Sequence, residues 1–308
     1  MEKQNYIITA GSTYLDIDAY ACAVSLAELM KLQGKKAIAY SKAPCNYSVC
    51  KSLVAEGQIQ SELPQGFADD AKYIIVDVSD CDFLKDSVPL ERVVEIYDHH
   101  VGFEEYWESR IGKGSHIEFI GCAATLIYRE WKKCGLLDKM LRSTALLMIA
   151  AILDNTLNLK SSNTTEEDKQ VFYELCLKEN VGQEWCEAYF SEVQRSVVAD
   201  IENALFNDIK TVNNNSVLPK KVAQLCVWDS NGIMERLPEI RKLFSEYSNE
   251  WMINIIDLKQ NCCFFVCDNA HYQKQVEKVF QIAFEAGVAK TDKLYLRKEI
   301  YKKAYSDR

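Results

Sequence analysis

No apolar run in this chain is long enough to cross a bilayer: the longest, Ala145 to Leu153, falls far short of the roughly 20 residues that a spanning helix needs. The opening residues, MEKQNYIITA, lack the basic start and apolar core of a secretory signal and run straight into a strand-like segment. Positive charge is not in excess either. A net charge of -9 argues against broad attraction to DNA, RNA or an anionic membrane surface, while leaving room for a local basic pocket that receives a small anion. The twelve cysteines are scattered, without a CxxC pair or the spacing of a zinc ribbon, so they read as buried thiols in a reducing cytosol. Internal repeats and low-complexity tracts are absent. The expectation is a soluble, cytoplasmic globular protein with no nucleic-acid or membrane partner.

The 308 residues, 48% of them hydrophobic, suffice for two cores. Short apolar runs at Tyr6 to Thr9, Lys36 to Tyr40, Tyr73 to Val78 and Val93 to Tyr97 read as strands, with Ala19 to Leu32 the clearest helix between them. This alternation predicts an α/β fold with a parallel sheet flanked by helices. Helical patterns follow at Ala123 to Lys133, Leu141 to Leu153 and Thr165 to Leu177, the last with Thr164 as its expected cap. Beyond the Asn-rich run Thr211 to Pro219, strand-like segments at Val222 to Trp228, Trp251 to Asp257 and Cys262 to Val266 alternate with helical ones. Residues 1–192 and 200–308 are therefore read as two domains, the second a smaller α/β unit, with the cleft between them the expected place for a ligand.

Four clusters carry possible chemistry. Asp16-Ile17-Asp18 stands between the first strand and its helix, where parallel sheets bind ligands; it is a metal-ligand pair or a helix-dipole pair. Asp77 ends the apolar run Ile74-Ile75-Val76, as a ligand or as a turn residue. Asp98-His99-His100 ends another apolar strand and uses two of the chain's four histidines, offering one imidazole to a metal and one to a substrate phosphate, with Asp98 orienting a ring. Asp154-Asn155-Thr156 ends an apolar helix. Packed side by side, these elements would bring the clusters together as a two-metal site.

In this order the four blocks resemble the Asp-His-His phosphoesterase family, named for the tripeptide seen here as Asp98-His99-His100. The likeness extends through Ile117 to Leu126, Ala150 to Ser161 and Asn163-Thr164-Thr165. The C-terminal half is similar to the accessory domain of manganese-dependent inorganic pyrophosphatases and the related exopolyphosphatases, ending in Leu294-Tyr295-Leu296-Arg297-Lys298-Glu299-Ile300. The glycine-rich accessory signature of the branch acting on nucleic acids is not found near this C-terminus.

The resemblance implies that Asp16, Asp18, Asp77 and His99 ligate metal, with Asp77 shared between two Mn2+ or Mg2+ ions about 3.5 to 4 Å apart. It also implies that His100 faces the electrophilic phosphate, and that Arg297 and Lys298, with Lys210 as a third contact, neutralise the phosphate oxygens. The alternative for Lys290, Lys293, Arg297, Lys298, Lys302 and Lys303 is a solvated face of a terminal helix. Two positions depart from the pyrophosphatase pattern. Ser12 stands where those enzymes place a metal-binding histidine, and the stretch Gly11 to Asp18 is closer to the exopolyphosphatase and prune-like branch. Aligning Thr156 puts Asn155 where a shared carboxylate is expected, with Asp154 one residue away and able to replace it through a local helix irregularity. The implied activity is metal-dependent hydrolysis of a phosphoanhydride, pyrophosphate first. An exopolyphosphatase or nucleotide phosphohydrolase is the near alternative, and a phosphate-binding protein without turnover the distant one. The partner is a small phosphate compound, and a homodimer is compatible with it.

Overall fold

The computed structural model describes residues 4–11, 14–84, 87–207, 209–212 and 217–306, so Ser12 lies outside the described residues. The chain divides into two compact units, Met1–Cys186 and Glu187–Arg308.

The first unit runs β1 (Asn5–Thr9), α1 (Ile17–Leu32), β2 (Lys36–Ala39), β3 (Lys72–Val76), α2 (Cys81–Leu84), β4 (Val93–Asp98), α3 (Glu104–Ile111), β5 (Ser115–Ile117), α4 (Ala123–Cys134), α5 (Arg142–Asn155), α6 (Glu166–Glu179) and the start of α7 (Gln183–Ala199). Its five strands form a wholly parallel sheet in the order β2-β1-β3-β4-β5. Strand residues alternate between faces. Ile7, Tyr73, Ile75, Val93 and Ile96 pack on one side with Leu84, Val88 and Trp107. Ile8 and Ile74, of opposite parity, are equally buried, and α1 packs against β1, β2, α4 and α5. Most residues of α1 and α5 are buried, which is why neither shows the narrow apolar stripe of a surface helix.

Strand order places the site. The chain leaves β1 for β2 on one side and has β3 on the other, so the sheet's switch point lies between β1 and β3, where ligands enter parallel α/β sheets. Asp16 and Asp18 follow β1, Asp77 follows β3, and His99 and His100 follow β4. The registers Thr9 with Ile75 and Val76 with Tyr97 bring these strand ends to one level.

Helix signals in the sequence correspond closely to the observed starts, with one correction. Helix α6 is capped by Thr165, which accepts from Asp168 N in a capping box, whereas Thr164 bonds to Ser161 instead. The short edge strand β5 went unread, because three half-buried residues carry too little alternation to register.

The second unit continues with α8 (Ile201–Asn207), β6 (Lys210–Thr211), β7 (Lys221–Val227), α9 (Asn231–Glu235), α10 (Leu237–Tyr247), β8 (Trp251–Asp257), β9 (Cys262–Val266), α11 (Ala270–Phe280), β10 (Val288–Thr291) and α12 (Arg297–Ser306). Its sheet has the order β10-β9-β8-β7-β6, parallel only between β7 and β8. No helix among the described residues is long and apolar enough to cross a membrane.

Trp107 joins the core of the first unit to the loop that follows Asp77, being fully buried and donating its indole N–H to Ser79 O at 2.7 Å. Replacing it with Ala should destabilise this unit by about 3–5 kcal/mol, read from urea unfolding. A loss below about 1 kcal/mol would contradict its place in the core.

Candidate metal centre

Three side chains meet at the ends of β3 and β4. Asp77, His99 and His100 bring ligand atoms within 4.8 Å of one another, and they are the one such group of three among the described residues. His99 Nε2 lies 3.4 Å from Asp77 Oδ1, and His100 Nδ1 lies 3.9 Å from the same oxygen. The Asp77 and His99 side chains are nearly inaccessible, at 4% and 1%, whereas His100 is 54% exposed and can meet a ligand from solvent.

The local backbone explains the arrangement. Asp77 takes a left-handed conformation (φ 57°), which Asp tolerates better than the branched residues of the strand before it, and its N–H donates to Tyr97 O at 2.8 Å. The chain thus turns off β3 while staying bonded to β4. Ser79 ties the two loops again by donating to His100 O at 3.1 Å.

Asp98 organises the histidines. Its fully buried Oδ1 accepts from His99 N (2.8 Å), His100 N (3.2 Å) and His100 Nδ1 (2.8 Å). Burial pushes this carboxyl up, yet the His100 hydrogen bond and charge outweigh it and hold Asp98 below the usual carboxylate range. His99 Nδ1 points to Ile120 O at 3.2 Å, an acceptor that requires the proton on that nitrogen. In each ring, therefore, Nδ1 is engaged as a donor, which in the neutral imidazole puts the lone pair on Nε2, as in protein metal sites; His99 Nε2 faces Asp77 Oδ1.

Asp16 and Asp18 sit beside this group in different roles. Asp16 caps α1, accepting from Ala19 N at 2.9 Å, and is within hydrogen-bonding reach of Asp77. Asp18 is fully buried and accepts from Ala123 N (2.8 Å) and Ala124 N (2.9 Å), so it closes the amino end of α4, whose own cap residue, Cys122, makes no capping hydrogen bond. Cys22 donates its thiol to Asp18 at 3.3 Å, and Cys122 also hydrogen-bonds it. Burial first, and the nearby Asp16 charge second, push Asp18 up to about 6. Burial, then the charges of Asp18, Asp16 and Asp98, push Asp77 well above its ordinary value.

These features fit a divalent cation. Asp77 Oδ1 is buried without a hydrogen-bond partner, and several acids crowd it. A hard cation ligated by carboxylates and one imidazole would satisfy that oxygen and offset the repulsion, and this donor set suits Mn2+ or Mg2+.

Asp154 and Asn155 are both half-buried at the carboxyl end of α5, and Asp154 is not part of the close group of acids and histidines. The helix stays regular through them, Thr156 N donating to Ile152 O, and the irregularity begins afterwards, where Leu157, Asn158 and Leu159 are successively left-handed (φ 50°, 58° and 62°). Two Leu residues in that region are costly. The turn is held by Thr156, whose carbonyl accepts from Lys160 and Ser161 and whose hydroxyl accepts from Leu159 N.

In the second unit, Arg297 is half-buried at the start of α12 with Lys298 exposed beside it, and Lys210 is half-buried in β6. Arg297 N donates to Gln224 Oε1 at 2.7 Å, and the buried Asn254 donates to Tyr295 O at 2.7 Å. Two polar residues inside apolar strands thus set the start of this helix. Lys290 and Lys293 precede α12, so the expected cationic face reduces to Arg297, Lys298, Lys302 and Lys303 on the helix itself.

Sequence reasoning missed Ser79, Cys22, Cys122, Gln224, Asn254 and Asp168. Only Asp168 carried a local signal, the Thr-x-x-Asp pattern of a capping box.

The fold and site define a class: a two-unit α/β protein with an Asp-His-His group at the carboxyl ends of adjacent strands of a parallel sheet, next to its switch point. No family model matches the chain. It is similar to the probable manganese-dependent inorganic pyrophosphatases of Staphylococcus carnosus (28% identity over 253 residues, 76% of this chain and 77% of that one) and Listeria innocua (27% over 266 residues, 82% and 79%). Among solved structures, it shares its fold with a putative family II inorganic pyrophosphatase of Methanococcus jannaschii (TM-score 0.67, 20% identity, 98% and 99% covered). It also resembles an exopolyphosphatase-related protein of Bacteroides fragilis (TM-score 0.52, 12% identity, 99% and 91% covered).

The acid cluster sets a pH dependence. Asp18 is raised above its unfolded value of 3.8, so its contribution to metal-free stability is present below that value and is lost as pH rises through about 6. Asp77 is shifted the same way, while Asp98, shifted down, acts in the opposite sense only at more acid pH. The rise in Tm on adding Mn2+ to chelator-treated protein should therefore be larger at pH 7.5 than at pH 5, and equal gains would contradict the site.

Proposed function

We propose that this chain is a metal-dependent phosphoanhydride hydrolase acting on inorganic pyrophosphate. One observation carries the reading: a buried Asp77 oxygen without a hydrogen-bond partner lies 3.4 Å from His99 Nε2 and 3.9 Å from His100 Nδ1, the three side chains forming a group that can ligate a cation. The similarity to proteins named as manganese-dependent inorganic pyrophosphatases supports the choice of substrate and of Mn2+ as the favoured ion.

Asp77 and His99, with Asp16 and Asp18, would hold the ion, and Asp154 or Asn155 would complete a second position. A divalent ion there supplies activation of water and neutralisation of charge on the phosphoryl oxygens. Asp98 holds His100 in the tautomer whose Nε2 faces substrate. Once protonated at Nε2, His100 donates a hydrogen bond to a phosphoryl oxygen and can pass that proton to the departing phosphate. Arg297, Lys298 and Lys210 would bind the anionic oxygens, because phosphoryl transfer needs positive charge around its equatorial oxygens. The Gly11 to Asp18 segment favours polyphosphate as a second substrate, through its likeness to the exopolyphosphatase branch.

Phosphate release from pyrophosphate and tripolyphosphate, with Mn2+ or Mg2+, tests the reading. The wild-type protein should release phosphate from pyrophosphate with Mn2+, and Asp77→Asn should lower kcat by at least about a hundredfold. Tripolyphosphate turned over faster than pyrophosphate would move the assignment to the second substrate. No release under any of these conditions would refute hydrolysis.

A further inference from the structure

The polar contacts around His99 do not stop at Ile120. Ile120 C=O, which receives the His99 Nδ1 proton, and Gly121 N–H are opposite ends of one peptide group. Gly121 N donates to Asp168 Oδ2 at 2.9 Å. Asp168 lies at the amino end of α6, far in sequence from the Asp-His-His motif, and is fully buried. Its Oδ1 accepts from Thr125 Oγ1 (2.6 Å), and its Oδ2 also accepts from Thr165 N (2.8 Å) and Thr165 Oγ1 (2.7 Å). The carboxylate thus has a fixed orientation, and glycine is required at 121: a Cβ there would stand 2.6 Å from Asp168 Oδ2 and 2.9 Å from Thr156 Cγ2.

We propose that Asp168 is a positioning residue for the metal centre, acting on His99 through the polarised Ile120–Gly121 peptide. A negative charge at the N–H end of a peptide draws its dipole into line and makes the carbonyl oxygen a stronger acceptor. That oxygen then holds the proton of His99 on Nδ1 and leaves Nε2 as the lone-pair donor facing Asp77. When Nε2 is bound to a cation, the Nδ1 proton becomes more acidic and its hydrogen bond strengthens, so the buried carboxylate favours the ion-bound state over the free one. The local reading of Asp168, a capping-box acid for α6, accounts for its bonds to Thr165 but not for its bond to Gly121 N.

The proposal rests on His99 being a ligand, as in the function proposed above, but its test does not need hydrolysis. Asp168→Asn is nearly isosteric: its Oδ1 can still accept from Gly121 and Thr165, and its amide can donate to Thr125 Oγ1, while the charge is gone. The experiment records the imidazole 15N signals of metal-free full-length protein, with His99 identified by His99→Gln, followed by titration with Mn2+ alone. In wild type His99 should be in the Nδ1–H tautomer. In Asp168→Asn the Nε2–H form should become populated, and Mn2+ affinity should fall by about tenfold, at the lower end of what outer-shell changes produce. Thr125→Val, which removes a donor from Asp168 but keeps its charge, should lower Tm without changing the tautomer. Retention of the wild-type tautomer in folded Asp168→Asn overturns the proposal, as does an equal tautomer change in Thr125→Val. If phosphate release is absent from wild type while the tautomer responds to Asp168→Asn, the functional reading falls and the positioning role stands.

Discussion

Burying like charges together is unfavourable unless something of opposite sign joins them, and the first unit gathers Asp16, Asp18, Asp77 and Asp98 around the ends of three adjacent parallel strands. Much of the surrounding structure can be understood as the means of tolerating that arrangement. Asp98 accepts three donors at Oδ1 from the two residues that follow it, while its Oδ2 is buried without a hydrogen-bond partner. Asp18 is accommodated by the amino end of α4 and by two thiols. Asp77 Oδ1 is likewise left without a donor, and it lies 3.4 Å and 3.9 Å from the two imidazoles, where a cation would offset the crowded charge.

The same helix ends that stabilise the acids also fix the geometry of the centre. Helices α1, α4 and α6 each bring their amino terminus to a buried or half-buried carboxylate: Asp16, Asp18 and Asp168 respectively. Trp131 donates to Ser25 Oγ at 2.8 Å, and Ser25 reaches Met148 at 3.2 Å, which joins α4 to α1 and α5 behind the site. Side chains that orient the ligands are therefore continuous with those that pack the core, and a change in either is felt by both.

Strands ending in acids or histidines were legible because an apolar run interrupted by Asp77 or by Asp98-His99-His100 has few structural explanations. The parallel sheet was legible because its main strands are short apolar runs, the first two separated by the clear helix α1, although no helix stands between β2 and β3. Bonds made across large sequence distances were not. Nothing near Asp18 announces that its carboxylate will close α4, and nothing near Gly121 announces Asp168, because the partners meet only after the sheet and helices have packed. The Asp154 and Asn155 positions illustrate a different limit. Their side chains differ by one charge, and the irregularity that could exchange them begins just beyond, at Leu157.

The central claim is that Asp77 and His99 belong to a metal centre. Anomalous diffraction at the manganese edge, from crystals grown with Mn2+, tests it most directly. The account predicts a peak within direct-ligand distance, about 2.0–2.2 Å by analogy with zinc, of both an Asp77 carboxylate oxygen and His99 Nε2. Manganese found elsewhere on the chain, with Asp77 and His99 left free of it, would contradict the account.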